Sequence, residues 1–408
     1  MHYVILGNGG AGTSALQAIR GVDEESEITI ISREKYPAYS PCSLPELLSG
    51  ETDKKKIMRF NRDFYRKHNA TFIKNAEALA IKPRNKEIKL ADGKAIKYDR
   101  LLVAAGASPI VPKNISGLDL KGVHVMGTLD STLAIIKQLD EGAERAVVVG
   151  GGFMGIETAV MLRKRGVDVT IVELLPDILA RMLDPDVSKK VLGILGDNGI
   201  RVVLNDAVQS IRGNGKVESA ALGKKKLKCD MVVMAIGVAP NIHLVKSSGI
   251  KAKGGIIVNP AMRTGLKDIY AAGDIAEVRE QVGGKEGTFA IWPNAIEQGR
   301  VAGLNMAGVE TEYAGAEVVN ILNVFDTPVV AIGSTSKEIG KCKAVSRSTP
   351  RWHKKLLIKD KRIMGLQFVN SLVNSGPIYA LMKRGEDVSD IQDRLLDDNF
   401  ALAPQTES

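Results

Sequence analysis

Short apolar runs that end in glycine, each followed by apolar residues at helical spacing, open this chain and recur in its middle. Residues 2–6 read as a buried strand, Thr13 to Arg20 as a helix, and Ile28 to Ile31 as a returning strand. The small residues Ala11, Ala15 and Ala18 are expected to let that helix lie close on the sheet. Strand, glycine turn, helix and second strand make a parallel βαβ unit. The pattern returns at Val147–Val149, Ile156–Arg165 and Val167–Val172. The spacing is too long for a solenoid, so it predicts two copies of one supersecondary unit.

Two more apolar runs, within 98–109 and 229–241, each pass into a glycine and proline turn. Each reads as the last strand of a nucleotide unit followed by a crossover to the other domain. From about residue 310 the pattern changes. Strands are predicted at 318–324, 329–332, 352–358 and 361–369, and helices at Pro377–Lys383 and Asp390–Leu395. That is an antiparallel sheet with helices on one side. The predicted fold class is α/β: two Rossmann-like dinucleotide-binding domains, the second inserted in the first, plus a C-terminal α+β domain. The expected partition is 1–112 with 240–309, then 113–239, then 310–408.

The loops carry the chemistry. In Gly7-x-Gly9-x-x-Gly12 the first glycine makes the tight turn, the second lets backbone approach a pyrophosphate, and the third lets helix meet strand. The helix start then offers free N–H groups to phosphates. Gly150, Gly152, Phe153, Met154 and Gly155 repeat this arrangement. One loop binds one dinucleotide, so two loops imply two cofactors held face to face, a flavin dinucleotide and a nicotinamide dinucleotide. An acid about 20 residues on takes the ribose hydroxyls. Glu173 holds that place in the second unit, and with no arginine after it a 2′-phosphate is repelled, which selects NAD over NADP. In the first unit the corresponding acid is Glu34, after Ser32 and Arg33. Gly273-Asp274 follows a strand where a helix is expected to start. A carboxylate there can accept from a flavin ribityl hydroxyl; the alternative is a helix N-cap.

Composition narrows the rest. The 408 residues carry a formal charge of +9 and 4% aromatics. With no recognition motif beside the charge, nucleic acid is disfavoured as a partner. The basic clusters Lys54–Lys56, Lys224–Lys226 and Lys354–Lys355 are either solvated surface or a docking face for an acidic partner. No apolar run reaches the ~18 residues that span a bilayer. A strand starting at residue 2 leaves no room for a signal peptide. Cys42, Cys229 and Cys342 make neither a disulfide framework nor a metal set, which fits a reducing cytoplasm.

These motifs resemble the FAD- and NAD-dependent pyridine nucleotide–disulfide oxidoreductase superfamily over nearly the whole chain. The resemblance rests on both glycine loops, on the run from Tyr98 through Ala105-Gly106 to Pro109, on Gly155-Ile-Glu157, on the run ending Gly273-Asp274, and on Trp292-Pro293 through Gly303. It implies that Glu157 lies near the nicotinamide, with Gly237 at the NAD side. It implies that the helix after Trp292-Pro293 covers the pyrimidine end of the flavin, and that the C-terminal domain serves a homodimer or a complex.

Tyr39-Ser40-Pro41-Cys42 resembles the single-cysteine members, the coenzyme A-disulfide reductases, NADH oxidases and peroxidases. There the cysteine beside the flavin cycles through a mixed disulfide or sulfenic acid, and a thiol at a helix start is favoured as thiolate. The tyrosine-rich tail of those reductases is missing. The stretches 292–300 and 384–396 look more like NADH-dependent nitrite or rubredoxin reductases and subunits that serve iron–sulfur proteins. Cys42 is therefore either a redox thiol or a small buried hydrophobe near the isoalloxazine. Cys229 and Cys342 read as packing, and His353 is discounted for want of an acidic neighbour. The function expected is NADH:acceptor oxidoreduction through FAD, with an iron–sulfur partner. The alternatives are disulfide, persulfide or oxygen reduction through Cys42, and a non-catalytic flavoprotein.

Overall fold

The computed structural model describes residues 1–223, 225–398 and 400, and its contacts divide it into two units. The first comprises Met1–Leu44, Thr52–Ser108 and Val238–Glu317. Its centre is a five-stranded parallel sheet in the order Ile269–Ala271, Arg100–Val103, His2–Leu6, Glu27–Ile31, Ala70–Ile73. Parallel strands covered on both faces read as unbroken apolar runs, and Val4, Ile5, Ile30, Leu101 and Leu102 are all fully buried.

The helix Gly10–Arg20 starts three residues earlier than Thr13. Its small residues meet the helix Trp292–Ala307. A Cβ on Gly299 would lie 2.1 Å from the Ala11 carbonyl oxygen, and one on Gly303 would lie 2.9 Å from the Ala18 Cβ. The helices cross at backbone contact, so the alanine spacing serves a helix partner rather than the sheet.

The second unit comprises Pro45–Glu51, Pro109–Gly237 and Val318–Ser408. Its parallel sheet runs Arg201–Val203, Asp168–Val172, Arg145–Val149, Met231–Met234, Val123–Val125. The helix Phe153–Lys164 follows the second glycine loop, again starting earlier than Ile156. A second, antiparallel sheet runs Val319–Val324, Thr327–Gly333, Arg362–Val369, His353–Lys359, Lys343–Ser348. The helix Ser375–Arg384 packs on it. Two parallel Rossmann-type sheets and a C-terminal antiparallel sheet are the architecture expected from the apolar pattern.

Residues 390–395 are the exception: they form turns, not a helix. Leu395 and Leu396 are buried there, but Asp397 holds Arg347 and Asn374. The amides here bond mostly three residues back, as from Arg394 to Ile391, and Arg347 donates from far along the chain to the Asp393 carbonyl at 3.1 Å. The basic pair Lys354–Lys355 is corrected as well. Both are buried, because successive strand residues point to opposite faces and each face here supplies carboxylates, Asp398 for Lys354 and Asp184 with Asp186 for Lys355. Lys224 and the chain end after Phe400 lie outside the described residues.

Candidate functional site

The two glycine loops are near copies. A Cβ on Gly7 would lie 2.0 Å from the Ala104 carbonyl oxygen, and one on Gly150 would lie 2.5 Å from that of Ala235. Both glycines also have positive φ, +126° and +110°, so no other residue fits either turn. Gly12 meets the Gly7 carbonyl and Gly155 the Gly150 carbonyl, each at 2.0 Å from a hypothetical Cβ. At Gly9 and Gly152 nothing lies within 4 Å. Gly9 and Gly152 are also the helix N-caps, and neither helix has a side-chain cap. The first-turn amides and an open space at the middle glycine are what a dinucleotide phosphate needs. The residues present fit the two cofactors.

Around the first loop, burial pushes the Asp274 carboxyl up to about 6. No helix starts there; Gly273-Asp274 turns directly into the strand Ala276–Arg279, which removes the N-cap alternative. Gln298, almost wholly buried, accepts from the Gly273 amide at 2.8 Å and so fixes the turn that presents Asp274. Glu34 accepts from the Tyr39 hydroxyl at 2.8 Å. Ala105 and Gly106 are tied down by Asn241, whose side chain donates to the Ala105 carbonyl at 2.8 Å and whose amide donates to that of Gly106 at 3.0 Å. Trp292 and Pro293 open their helix, and the Trp292 ring lies 3.2 Å from a Cβ built on Gly10. Gln298 and Asn241 were not singled out in the sequence, because an amide that clamps a distant turn has no local signature.

Ser40, Pro41 and Cys42 sit on a short turn, with Pro41–Ser43 as one 3₁₀ helix and the Ser40 amide donating to the Ile57 carbonyl at 2.9 Å. Cys42 is exposed. Cys229 is buried, as packing requires, and Cys342 is partly exposed. The first unit also has a cavity of ≈ 510 Å³ whose lining includes Lys35, Arg62, Arg66 and Lys74.

Around the second loop, Glu173 accepts from the Gly151 amide at 2.5 Å and from the Leu175 amide at 2.8 Å. It ends its strand against the glycine turn. Phe153 and Met154 form the first turn of the helix, and Gly237 follows the strand Met231–Met234, accepting from the Ile110 amide at 2.9 Å. Glu157 lies one turn further along this helix. Burial, reinforced by the charge of Glu46, pushes its carboxyl up to about 7. Glu46 lies in the short helix Leu44–Ser49, and its Oε2 is buried with no hydrogen-bond partner. His353 does have an acidic neighbour, Asp186 at 3.7 Å, supplied from far away in sequence.

Two such loops on two parallel sheets define an oxidoreductase body for two dinucleotides. A family model described as pyridine nucleotide-disulphide oxidoreductase matches residues 1–299, and the chain belongs to that family. It is 34% identical over 394 residues to the NADH oxidase of Methanocaldococcus jannaschii, covering 90% of this chain and 87% of the relative. It is 31% identical over 412 residues to the NADH-dependent phenylglyoxylate dehydrogenase subunit epsilon of Aromatoleum evansii, covering 98% and 96%. The structure of an NAD-dependent persulfide reductase from A. fulgidus superposes with a TM-score of 0.91 at 28% identity, over 99% of this chain and 79% of that one. The chain is an FAD-dependent NADH oxidoreductase, with FAD and NAD(H) as its cofactors. No described helix is long and apolar enough to cross a membrane.

Proposed function

We propose that this enzyme moves hydride between NAD(H) and FAD and exchanges the electrons with an acidic iron–sulfur carrier or subunit. In this reading FAD is held by Gly7, Gly9, Gly12, Glu34, Ser40, Pro41, Cys42, Ala105, Gly106, Gly273, Asp274, Trp292 and Pro293, and NAD by Gly150, Gly152, Phe153, Met154, Gly155, Glu157, Glu173 and Gly237. Residues 1–112 with 240–309 form the FAD domain, 113–239 the NAD domain, and 310–408 a C-terminal interface domain. Bound FAD supplies reversible hydride acceptance and release of electrons singly or in pairs. The chain's own residues bind and orient. Loop amides take the pyrophosphates, and Asp274 accepts from a ribityl hydroxyl. Glu173 takes the adenosine ribose, selecting NAD over NADP, and Glu157 lies by the nicotinamide.

The observation that carries the choice of acceptor is the cationic cavity lining of Lys35, Arg62, Arg66 and Lys74, which suits an acidic protein. The Aromatoleum relative is itself a subunit of a larger enzyme by name. The exposed Cys42 favours a second reading, reduction of a disulfide, persulfide or oxygen through its thiol, and the similarity to a persulfide reductase supports it. Cys42→Ser separates them. Unchanged NADH turnover with artificial acceptors and with an iron–sulfur protein is expected. Selective loss of disulfide, persulfide or peroxide reduction would transfer the assignment to Cys42.

A further inference from the structure

The two glycine loops differ at the residue between their first and second glycines. In the second loop it is Gly151, whose amide donates to Glu173 at 2.5 Å. In the first it is Asn8, which has a polar side chain to place. That side chain accepts from the Tyr65 hydroxyl at 2.8 Å and donates to the Tyr36 carbonyl at 3.3 Å. The Tyr65 hydroxyl also accepts from the Ala38 amide at 3.0 Å. One phenol oxygen therefore joins the glycine loop to the segment 36–40. That segment is held further along as well: the Ala38 carbonyl accepts from the Arg59 amide at 3.0 Å, and the Ser40 amide donates to the Ile57 carbonyl at 2.9 Å. Directly after it comes the turn Pro41–Ser43 with Cys42. Packing fixes the ring. Tyr65 is 3% exposed, stacks on Phe72 with centroids 4.4 Å apart and 9° between planes, and makes a T-shaped contact with Phe64 at 5.2 Å. Phe72 belongs to the central parallel sheet of the first unit. Packing alone would be served by phenylalanine, so the hydroxyl acts through its two polar contacts.

We propose that Tyr65 is a positioning residue for the flavin: its hydroxyl, through Asn8, keeps the first glycine loop and the segment leading to Cys42 in one register. The proposal rests on the reading that this loop takes the FAD pyrophosphate. Phosphates bind to the loop amides, so a loop that shifts carries the dinucleotide with it. A small misplacement at a reacting centre is costly in rate. Removing the hydroxyl leaves the Asn8 Oδ1 and the buried Ala38 N–H each short of a partner, and the loop and the segment are then free to part. Tyr65 touches neither phosphate nor reacting atom in this scheme; it acts through Asn8 and the Ala38 amide. The glycine fingerprint leaves the Asn8 position open, which is why the link shows only in the fold.

The test compares Tyr65→Phe, Asn8→Ala and the double variant with the wild type, as holoenzyme and after removal and return of FAD. Tyr65→Phe keeps the ring and its stacking and removes one oxygen. Each single variant should stay yellow but bind FAD about tenfold more weakly, the worth of one hydrogen bond, read by flavin fluorescence during titration of the flavin-free protein. The visible circular dichroism of bound FAD, which reports how the ring sits, should change in both. At saturating FAD the limiting rate of bleaching by NADH should fall about tenfold. The NADH concentration that gives half that rate should not move, because the second loop is untouched. The double variant should lose no more FAD affinity than the weaker single variant, since both break one link. A hydroxyl that only supports the fold would lower the unfolding midpoint of flavin-free protein and leave the affinity and dichroism as in the wild type. That outcome would overturn the proposal, and so would additive losses in the double variant. If Tyr65→Phe does not fold, wild-type affinity and dichroism in Asn8→Ala overturn it equally. If the wild-type protein takes up no FAD, or Gly9→Val takes it up as well as the wild type does, the reading of the first loop fails instead, and this proposal with it.

Discussion

The first and second glycine loops solve the same backbone problem with almost the same atoms, yet their side-chain surroundings share little. Each has a glycine jammed against a carbonyl, a second facing open space and a third pressed on the first. Beyond that they diverge. Next to the first loop stand a tryptophan, a glutamine-clamped turn and one buried carboxyl, Asp274. The second loop is closed by its own acid, Glu173, and is followed by a helix that carries Glu157, whose carboxyl burial and the charge of Glu46 push up. Phosphate recognition thus resides in backbone geometry, which tolerates duplication. Recognition of what the phosphates carry resides in side chains, which the two copies have replaced.

Paired substitutions break this comparison most sharply. Gly9→Val and Gly152→Val each place a side chain in open space, so neither should disturb the fold. Gly9→Val should yield colourless protein. Gly152→Val should stay yellow but lose about 10²-fold or more in the rate at which NADH bleaches the flavin, the usual cost of a misplaced reactant. Absorbance and stopped-flow measurements read both, and loss of both cofactors in both variants would show that the loops are not independent.

A second difference lies in how charge is buried. In the second unit, burial pushes the Asp184 carboxyl up, but Lys355 and Ser336 outweigh it and hold it below the usual range. Lys355 is in turn lowered by burial and held above its usual range by Asp184 and Asp186. Lys355→Met strands Asp184, and the expected loss is about 3–5 kcal/mol, read by denaturant unfolding. Lys164→Met removes a surface pair with Glu51 and should cost about 1 kcal/mol or less. Equal costs would mean that the Asp184 cluster contributes no more than surface charge does.

Asp274 gives the first unit its own pH dependence. Its folded pKa of about 6 lies above the ordinary 3.8, so the stability it contributes to flavin-free protein is full below the ordinary value and disappears as pH rises through about 6. Melting of the flavin-free protein should therefore weaken from pH 4 to 7, and Asp274→Asn should flatten that slope. The same variant should weaken flavin binding by about tenfold, a charged hydrogen bond's worth. A slope that survives in Asp274→Asn would assign it to another group. An effect of similar size is expected at Glu173. Glu173→Ala should narrow the preference for NADH over NADPH by about tenfold, through loss of ribose contacts and of repulsion. An unaltered ratio of kcat/KM values would remove Glu173 from cofactor choice.

What the sequence determined by itself is local. The two loops, the strands that feed them and the acid after the second strand were all legible, because turn geometry and close backbone approach admit only glycine and because buried parallel strands are continuously apolar. Tertiary structure decided whatever depends on partners far along the chain. Residues 390–395 follow a helical pattern but form turns, with Arg347 bonded to the Asp393 carbonyl. Lys354 and Lys355 look like surface charge and are buried against distant aspartates. His353 gains Asp186, and Gln298 clamps the turn before Asp274. The charge of Glu46 acts on Glu157 across more than a hundred residues of sequence. Hydrogen bonds and charges act over a few ångströms, so only the fold can say which polar groups are brought within reach of one another.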